Sequence, residues 1–237
     1  MPRSVTISEF LSHPALGLEE FVQVELLTRT VEDNEWHNGQ SVWDHGMRTY
    51  RAVDKIISLH DPLLRILSPI KSEIAAHMDS TFGTHPRRVL MKVAALLHDI
   101  GKVSCVQTGL REQTACPGHA AESRKVFERH GSVLPLPMRE REYIAGIIGG
   151  HHDIDRFLSC QGDEHCAAEL QKFRRENEHI LIDLLIFYLC DFEGSKINFM
   201  VRRQKPQIWN KICGVLFDAF KERRAAKILF DDGAVKV

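Results

Sequence analysis

The sequence predicts an all-α fold, a helical bundle with peripheral helices at its N- and C-terminal ends. Three observations carry this. Apolar residues recur at helical spacing along most of the chain. No stretch shows sustained strand alternation closed by hairpin turns. The prolines fall at breaks: Pro14, Pro62, Pro69, Pro86, Pro117, Pro135, Pro137 and Pro206 all fit loops or first helical turns. Helices are expected over 7–12, 18–33, 42–60, 70–80, 87–99, 118–130, 138–151, 163–176, 179–195 and 206–229.

The inward stripes justify the central elements in turn. In 42–60, His45 leads Ala52, Val53 and Ile56. In 87–99, Leu90, Val93, Ala94 and Leu97 share one face, and His98 continues it. Gly101 is well placed to stop that helix. His119 opens 118–130, whose inward positions include Val126 and Phe127. In 138–151, His151 follows Ile144 and Ile147, and His152 lies four after Ile148. Asp191 ends the very apolar run from Leu181 to Cys190. Neither an internal repeat nor a low-complexity linker divides the chain, so residues 1–237 read as one domain with its core at about 42–195.

The polar interruptions of these stripes are the candidate chemistry. Asp99 sits in a last helical turn, at the negative end of the macrodipole, where a carboxylate is unfavourable. A bound cation would offset that. A carboxylate on a buried face costs several kcal/mol unless paired or metal-bound. Taken singly, each group has a plainer account as a satisfied core histidine or a hydrogen-bonded aspartate. Taken together, His45, His98, Asp99, His119, His151, His152 and Asp191 supply metal-ligand chemistry, each on an inward position of a predicted helix. His13, His37, His60, His77, His85, His130, His165 and His179 read as ordinary surface groups.

In its motifs the chain resembles the HD-domain metal-dependent phosphohydrolases. Their H…HD…D pattern falls on His45, His98-Asp99 and Asp191. Within that superfamily it is similar to the HD domain of bacterial tRNA nucleotidyltransferases, the CCA-adding enzymes. The likeness rests on Ser41-Val42-Trp43-Asp44-His45, Leu96 to Lys102, Gly118-His119-Ala120-Ala121, and Arg139 to Tyr143 leading to His151-His152. The Gly-Ser run and paired aspartates of the nucleotidyltransferase head are missing. So is the Gly-Tyr-Pro motif of cyclic-di-GMP hydrolases, since Asp153-Ile154-Asp155-Arg156 follows the histidine pair.

The resemblance implies an HD-domain-like bundle holding one or two divalent ions, imidazole-rich and so favouring Mn, Fe, Co, Ni or Zn over Mg. One ion would take His45, His98, Asp99 and Asp191. A second would take His119, His151 and His152, with Asp99 bridging. In a mononuclear site those last histidines would contact the substrate instead. Asp99 and Lys102 are the expected catalytic groups, with Lys102, Arg124 and Lys196 as candidate phosphate binders. The implied activity is hydrolysis of a nucleotide-like phosphomonoester or phosphodiester. The alternative is a regulatory or RNA-binding module that keeps a metal without turnover. Segments 61–86 and 153–165 are expected to set specificity.

Composition bounds the rest. Thirty-one Lys and Arg stand against 32 Asp and Glu, a net charge of −1, so no basic field advertises nucleic acid. The basic residues Arg202, Arg203, Lys205, Lys221, Arg223, Arg224 and Lys227 read more readily as a solvated helix face than as a phosphate site. No run suits a membrane span, and the first residues lack a signal peptide's apolar stretch, so the expected setting is cytoplasmic. The six cysteines are then expected as free thiols, with a zinc at Cys160, His165 and Cys166 the lesser alternative.

Overall fold

A computed structural model describes residues 5–58, 62–109, 113–160 and 163–233. Its helices are α1 (Ile7–Ser12), α2 (Pro14–Leu18), α3 (Val24–Arg29), α4 (Val42–Ser58), α5 (Lys71–Asp79), α6 (Arg87–Leu97), α7 (Lys102–Cys105), α8 (His119–His130), α9 (Met138–Gly150), α10 (Asp155–Ser159), α11 (Asp163–Glu176), α12 (Leu181–Gly194) and α13 (Phe199–Gly233). The fold is all-α. Its strands are two-residue pieces: β1 (Val31–Glu32) pairs with β2 (Gln40–Ser41), β3 (Thr81–Phe82) with β4 (His85–Pro86), and β5 (Gln107–Thr108) with β6 (Thr114–Ala115), all antiparallel.

Helices α4, α6, α9 and α12 form the centre, with α8 packed on α9 and α13 on α12. Helix α12 is buried on every side from Asp183 to Cys190, as an all-round apolar helix must be. Its contact with α4 is very close: a Cβ on Gly194 would stand 2.2 Å from Thr49 Oγ1. Gln40 ties the two ends together, donating to Gly194 O at 2.9 Å and accepting from Lys196 N at 2.9 Å. Ser41 caps α4, its Oγ accepting from Asp44 N at 3.1 Å, and this fixes the first turn that carries His45.

Several expectations need correction. The helix expected over 18–33 is α2 and α3 with a break between them, followed by β1. The last helix starts at Phe199, not at Pro206. Asn198 Oδ1 accepts from Val201 N at 3.0 Å, a cap strong enough to start the helix early and leave Pro206 inside it. The end of the helix expected over 42–60 lies outside the described residues.

Gly101 is not a left-handed helix stop. Its φ is −67°, which any residue adopts. Glycine is required there by proximity: a Cβ would lie 2.5 Å from Ser123 N and 2.7 Å from His119 O, both backbone atoms of α8. Gly101 N also donates to Ser123 Oγ at 2.9 Å. The left-handed position is Gly118, at φ 74°, which turns the chain into α8.

Two cysteines are not free. Cys160 and Cys166 form a disulfide: Cys160 directly follows α10, Cys166 lies in the first turn of α11, and their Cα atoms stand 5.4 Å apart. This also removes their thiolates from any zinc site. Cys105, Cys116, Cys190 and Cys213 are free.

His77 is not a surface group but 5% exposed. Its Nε2 lies 2.9 Å from Asp183 Oδ1, which also accepts from Tyr143 OH at 2.8 Å. Arg223 Nη1 donates to His77 Nδ1 at 2.7 Å and docks α13 on this network. His60 lies outside the described residues. No helix among the described residues is long and apolar enough to cross a membrane.

Candidate metal centre

Helix α6 stops at Leu97, and the turn that follows delivers His98 and Asp99 to the centre of the bundle. The side chains of both are at least 96% buried. Asp99 faces two groups of imidazoles with different oxygens. Its Oδ2 is 3.3 Å from His45 Nε2 and 3.3 Å from His98 Nε2. Its Oδ1 is 3.1 Å from His119 Nε2 and 3.8 Å from His151 Nε2. Asp191 completes the first group, with Oδ1 2.7 Å from His45 Nε2 and 3.3 Å from His98 Nε2. His152 completes the second, its Nε2 3.1 Å from His119 Nε2.

The tautomers of four histidines follow from their partners. His98 Nδ1 donates to Ala95 O at 3.0 Å, His119 Nδ1 to Cys116 O at 2.7 Å, and His151 Nδ1 to Ile148 O at 2.6 Å. His152 Nδ1 donates to Asp155 Oδ2 at 2.6 Å. A carbonyl or ionised carboxylate only accepts, so each Nδ1 carries a proton and Nε2 is the nitrogen turned inward, a lone-pair donor whenever the ring is neutral. Lone pairs facing each other at 3.1 Å repel unless a cation or proton lies between them.

Unmet polar atoms lie at the same place. Both Asp99 oxygens, Asp191 Oδ1, His151 Nε2 and His45 Nδ1 are buried without a hydrogen-bond partner. Their close neighbours approach without hydrogen-bond alignment. Three overlapping sets converge to within 4.8 Å: His45, His98 and Asp191; His98, Asp99 and His151; His119, His151 and His152. Nitrogen and carboxylate donors converging around unsatisfied buried atoms fit a divalent ion.

Charge is strongly perturbed here. Burial opposes the charged form of Asp99, but His98 and Lys102 beside it hold the carboxylate well below its usual range. Burial likewise opposes charge on Asp191, and His98 and His45 hold it low. Burial works against a proton on His98, yet Asp99 and Asp191 outweigh it and push the imidazole up to about 10. His151 goes the other way: burial, then His152 and His98, hold it neutral.

Lys102 is 3% exposed. Its Nζ lies 2.8 Å from Asp99 Oδ2 and donates to Glu32 Oε2 at 2.5 Å and to His37 Nε2 at 3.3 Å. The ammonium expected to meet a phosphate is therefore already shared between two carboxylates. Glu32 and His37 come from β1 and the turn after it and were not among the expected site residues. His37, expected at the surface, is half-buried with its ring 4.7 Å from that of His45. Burial and then Lys102 lower it to about 2, so it is a neutral acceptor.

The cluster forms the floor of a cavity of about 550 Å³. Residues 153–165 contribute Asp155, Leu158 and Ser159 to its wall, as expected, whereas no described residue of 62–86 lines it. Arg124 and Lys196 do not line it either. Arg124 pairs with Glu128 on the surface of α8, and Lys196 Nζ stands 3.3 Å from Asp44. The unexpected walls are Trp36 and, from α13, Gln204, Gln207, Ile208 and Lys211.

The helical core gathers seven imidazole and carboxylate groups at and beneath one cavity floor, a donor set that fits divalent metal. The HD domain family model matches residues 70–191, just over half the chain, and the protein belongs to the HD domain family. That family consists in general of metal-dependent hydrolases. The match takes in His98, Asp99, His119, His151, His152 and Asp191, whereas His45 precedes it and joins them through the packing of α4. No curated protein matches the chain.

Proposed function

We propose that the protein is a metal-dependent phosphohydrolase that cleaves a phosphate ester of a nucleotide-like substrate with an activated water. The observation that carries this is the convergence of four Nε2 atoms, those of His45, His98, His119 and His151, on the two oxygens of Asp99 beneath an open cavity. A structural metal site is closed by its ligands, whereas a hydrolytic one must admit water and substrate.

In this reading His45, His98 and Asp191 would hold one ion, and His119, His151 and His152 a second, with Asp99 shared between the two groups. Bound there, divalent ions would supply an activated water and offset phosphoryl charge. The chain's own residues set the geometry. The carbonyls of Ala95, Cys116 and Ile148 fix the rings, and Lys102 keeps Asp99 ionised. Asp155 orients His152 and raises its basicity.

The motif likeness to the HD part of tRNA nucleotidyltransferases supports 2′,3′-cyclic phosphodiesterase, 2′-nucleotidase or phosphatase activity. Elemental analysis of the purified protein, paired with phosphate release from aryl phosphates and nucleotides, tests the reading. Near two transition metals per chain, with turnover lost on chelation, is the expected result. Bound metal without turnover on any ester would favour a metal-holding binding module. Failure to take up metal on reconstitution would overturn the proposal.

A further inference from the structure

The cavity above the histidine–aspartate floor has an apolar side and very little free positive charge. Trp36, Leu158, Tyr188, Phe192 and Ile208 make the apolar side. Trp36 stands edge-on to Phe192 at 5.8 Å between ring centroids, and Phe192 stacks on Tyr188 at 6.4 Å. Trp36 is 39% exposed and lines the cavity.

The turn that carries Trp36 is held on both sides. Asn34 Oδ1 accepts from Trp36 N at 2.9 Å and from His37 N at 3.0 Å. Asp33 N donates to Thr114 Oγ1 at 2.7 Å, and Asn198 N donates to Glu35 O at 2.8 Å. Fixing an aromatic side chain in advance lowers the entropy lost when a ligand stacks on it.

The cations of the wall, among the described residues, are Lys102 and Lys211. Lys102 is shared between Asp99 and Glu32. Lys211 is exposed, its Nζ 3.4 Å from Leu158 O, and Asp155 stands in the same wall. Ions on the floor would offset one reacting phosphoryl group. A second and third phosphate would then meet one lysine outside an ion pair and an aspartate, with no arginine among the described lining residues. Sites for polyphosphates gather several Lys or Arg around the chain of phosphates.

We propose that this site takes an ester with one phosphoryl group on a flat aromatic body, that Trp36 is the platform for that body, and that di- and triphosphate chains are excluded. The inference rests on the phosphohydrolase reading and narrows it. The amides of Gln204 and Gln207, on the same cavity, offer donors and acceptors to a nucleobase edge.

The test compares 1-naphthyl phosphate with glycerol 2-phosphate, and the 2′-, 3′- and 5′-monophosphates of adenosine with adenosine triphosphate, on metal-loaded protein. The naphthyl ester should be hydrolysed at least about tenfold more efficiently than glycerol 2-phosphate, the scale of one aromatic stacking contact, and one monophosphate should be favoured over the triphosphate because the wall lacks cations for the added phosphates. Trp36→Ala should raise KM for the naphthyl ester by about tenfold, with a smaller change in kcat, and Trp36→Phe should restore most of it. Without turnover as a readout, 1-naphthyl phosphate should quench tryptophan fluorescence, and Trp36→Phe should remove that quenching.

Hydrolysis of the triphosphate as efficient as that of every monophosphate, or an unchanged KM in Trp36→Ala, would overturn this inference and leave the hydrolase reading standing. No phosphate release from any ester would overturn the hydrolase reading itself, and this inference with it.

Discussion

The ammonium of Lys102 lies 2.8 Å from Asp99 Oδ2 as an ion pair, reaching back across the turn that ends α6, and its hydrogen bonds go to Glu32 and His37. Burial lowers the affinity of Lys102 for its proton, but Asp99 and Glu32 raise it further, so the charge stays. The triad is a neutralising device for the carboxylate that faces both imidazole groups.

Removing only its cation should be costly. Lys102→Met leaves two buried carboxylates without their counter-ion, and breaking a buried pair typically costs about 3–5 kcal/mol. The double variant Lys102→Met with Glu32→Gln should be more stable than Lys102→Met alone. Denaturant unfolding of the four proteins in a double-mutant cycle measures this. Single effects that simply add would show that Glu32 and Lys102 are not coupled.

Asp99→Ala removes the group that presents one oxygen to His45 and His98 and the other to His119 and His151. Both metal content and hydrolysis should be lost. Metal analysis beside a phosphate-release assay checks the two together, and turnover retained in chelated buffer would end the mechanism.

Metal affinity should rise with pH. Without an ion, Asp99 and Asp191 hold a second proton on His98 up to about pH 10. A metal takes only the neutral ring, so binding must displace that proton. The folded-state value is raised, hence the competing proton is present throughout the neutral range and is lost as pH rises through about 10. For one displaced proton, affinity gains about tenfold per pH unit. Calorimetric titrations in buffers of different ionisation heat count the proton released. Affinity that stays flat from pH 6 to pH 8 would contradict the assignment.

Gly101→Ala puts a methyl group 2.5 Å from Ser123 N and 2.7 Å from His119 O. Backbone cannot swing aside as a side chain can, so α8 must shift. A loss of about 1–3 kcal/mol is expected, the scale of overpacking a tight core. Because His119 moves with α8, metal content should fall as well. Thermal melts with and without added metal separate the two effects, and an unchanged melting temperature would show that the contact is looser than described.

The helical half of the site was legible because its ligands interrupt periodic apolar stripes. His45, His98, His119, His151 and Asp191 each occupy a position where the helical period calls for a core residue, and the bundle turns that position to the centre. Glu32, Trp36 and His37 lie in a two-residue strand and the turn behind it, where there is no period to interrupt. Glu32 and His37 meet their partner Lys102 across 70 and 65 residues of chain, and Trp36 meets Phe192. The disulfide is hidden for a similar reason, since a spacing of six residues does not by itself pair Cys160 with Cys166. Pro206 reads as a first-turn residue in the sequence, whereas the cap at Asn198 starts the helix earlier.

The turn at 33–37 is fastened to β6 by Thr114 and to the start of α13 through Asn198. The working chamber is therefore larger than the stretch of chain that carries the family likeness. A fragment trimmed to 70–191 would keep His98, Asp99, His119, His151, His152 and Asp191. It would lack His45, Glu32 beside Lys102, the indole wall and the amides of α13. Such a fragment would be a hearth without its walls: donors for an ion, but no room in which a substrate is held.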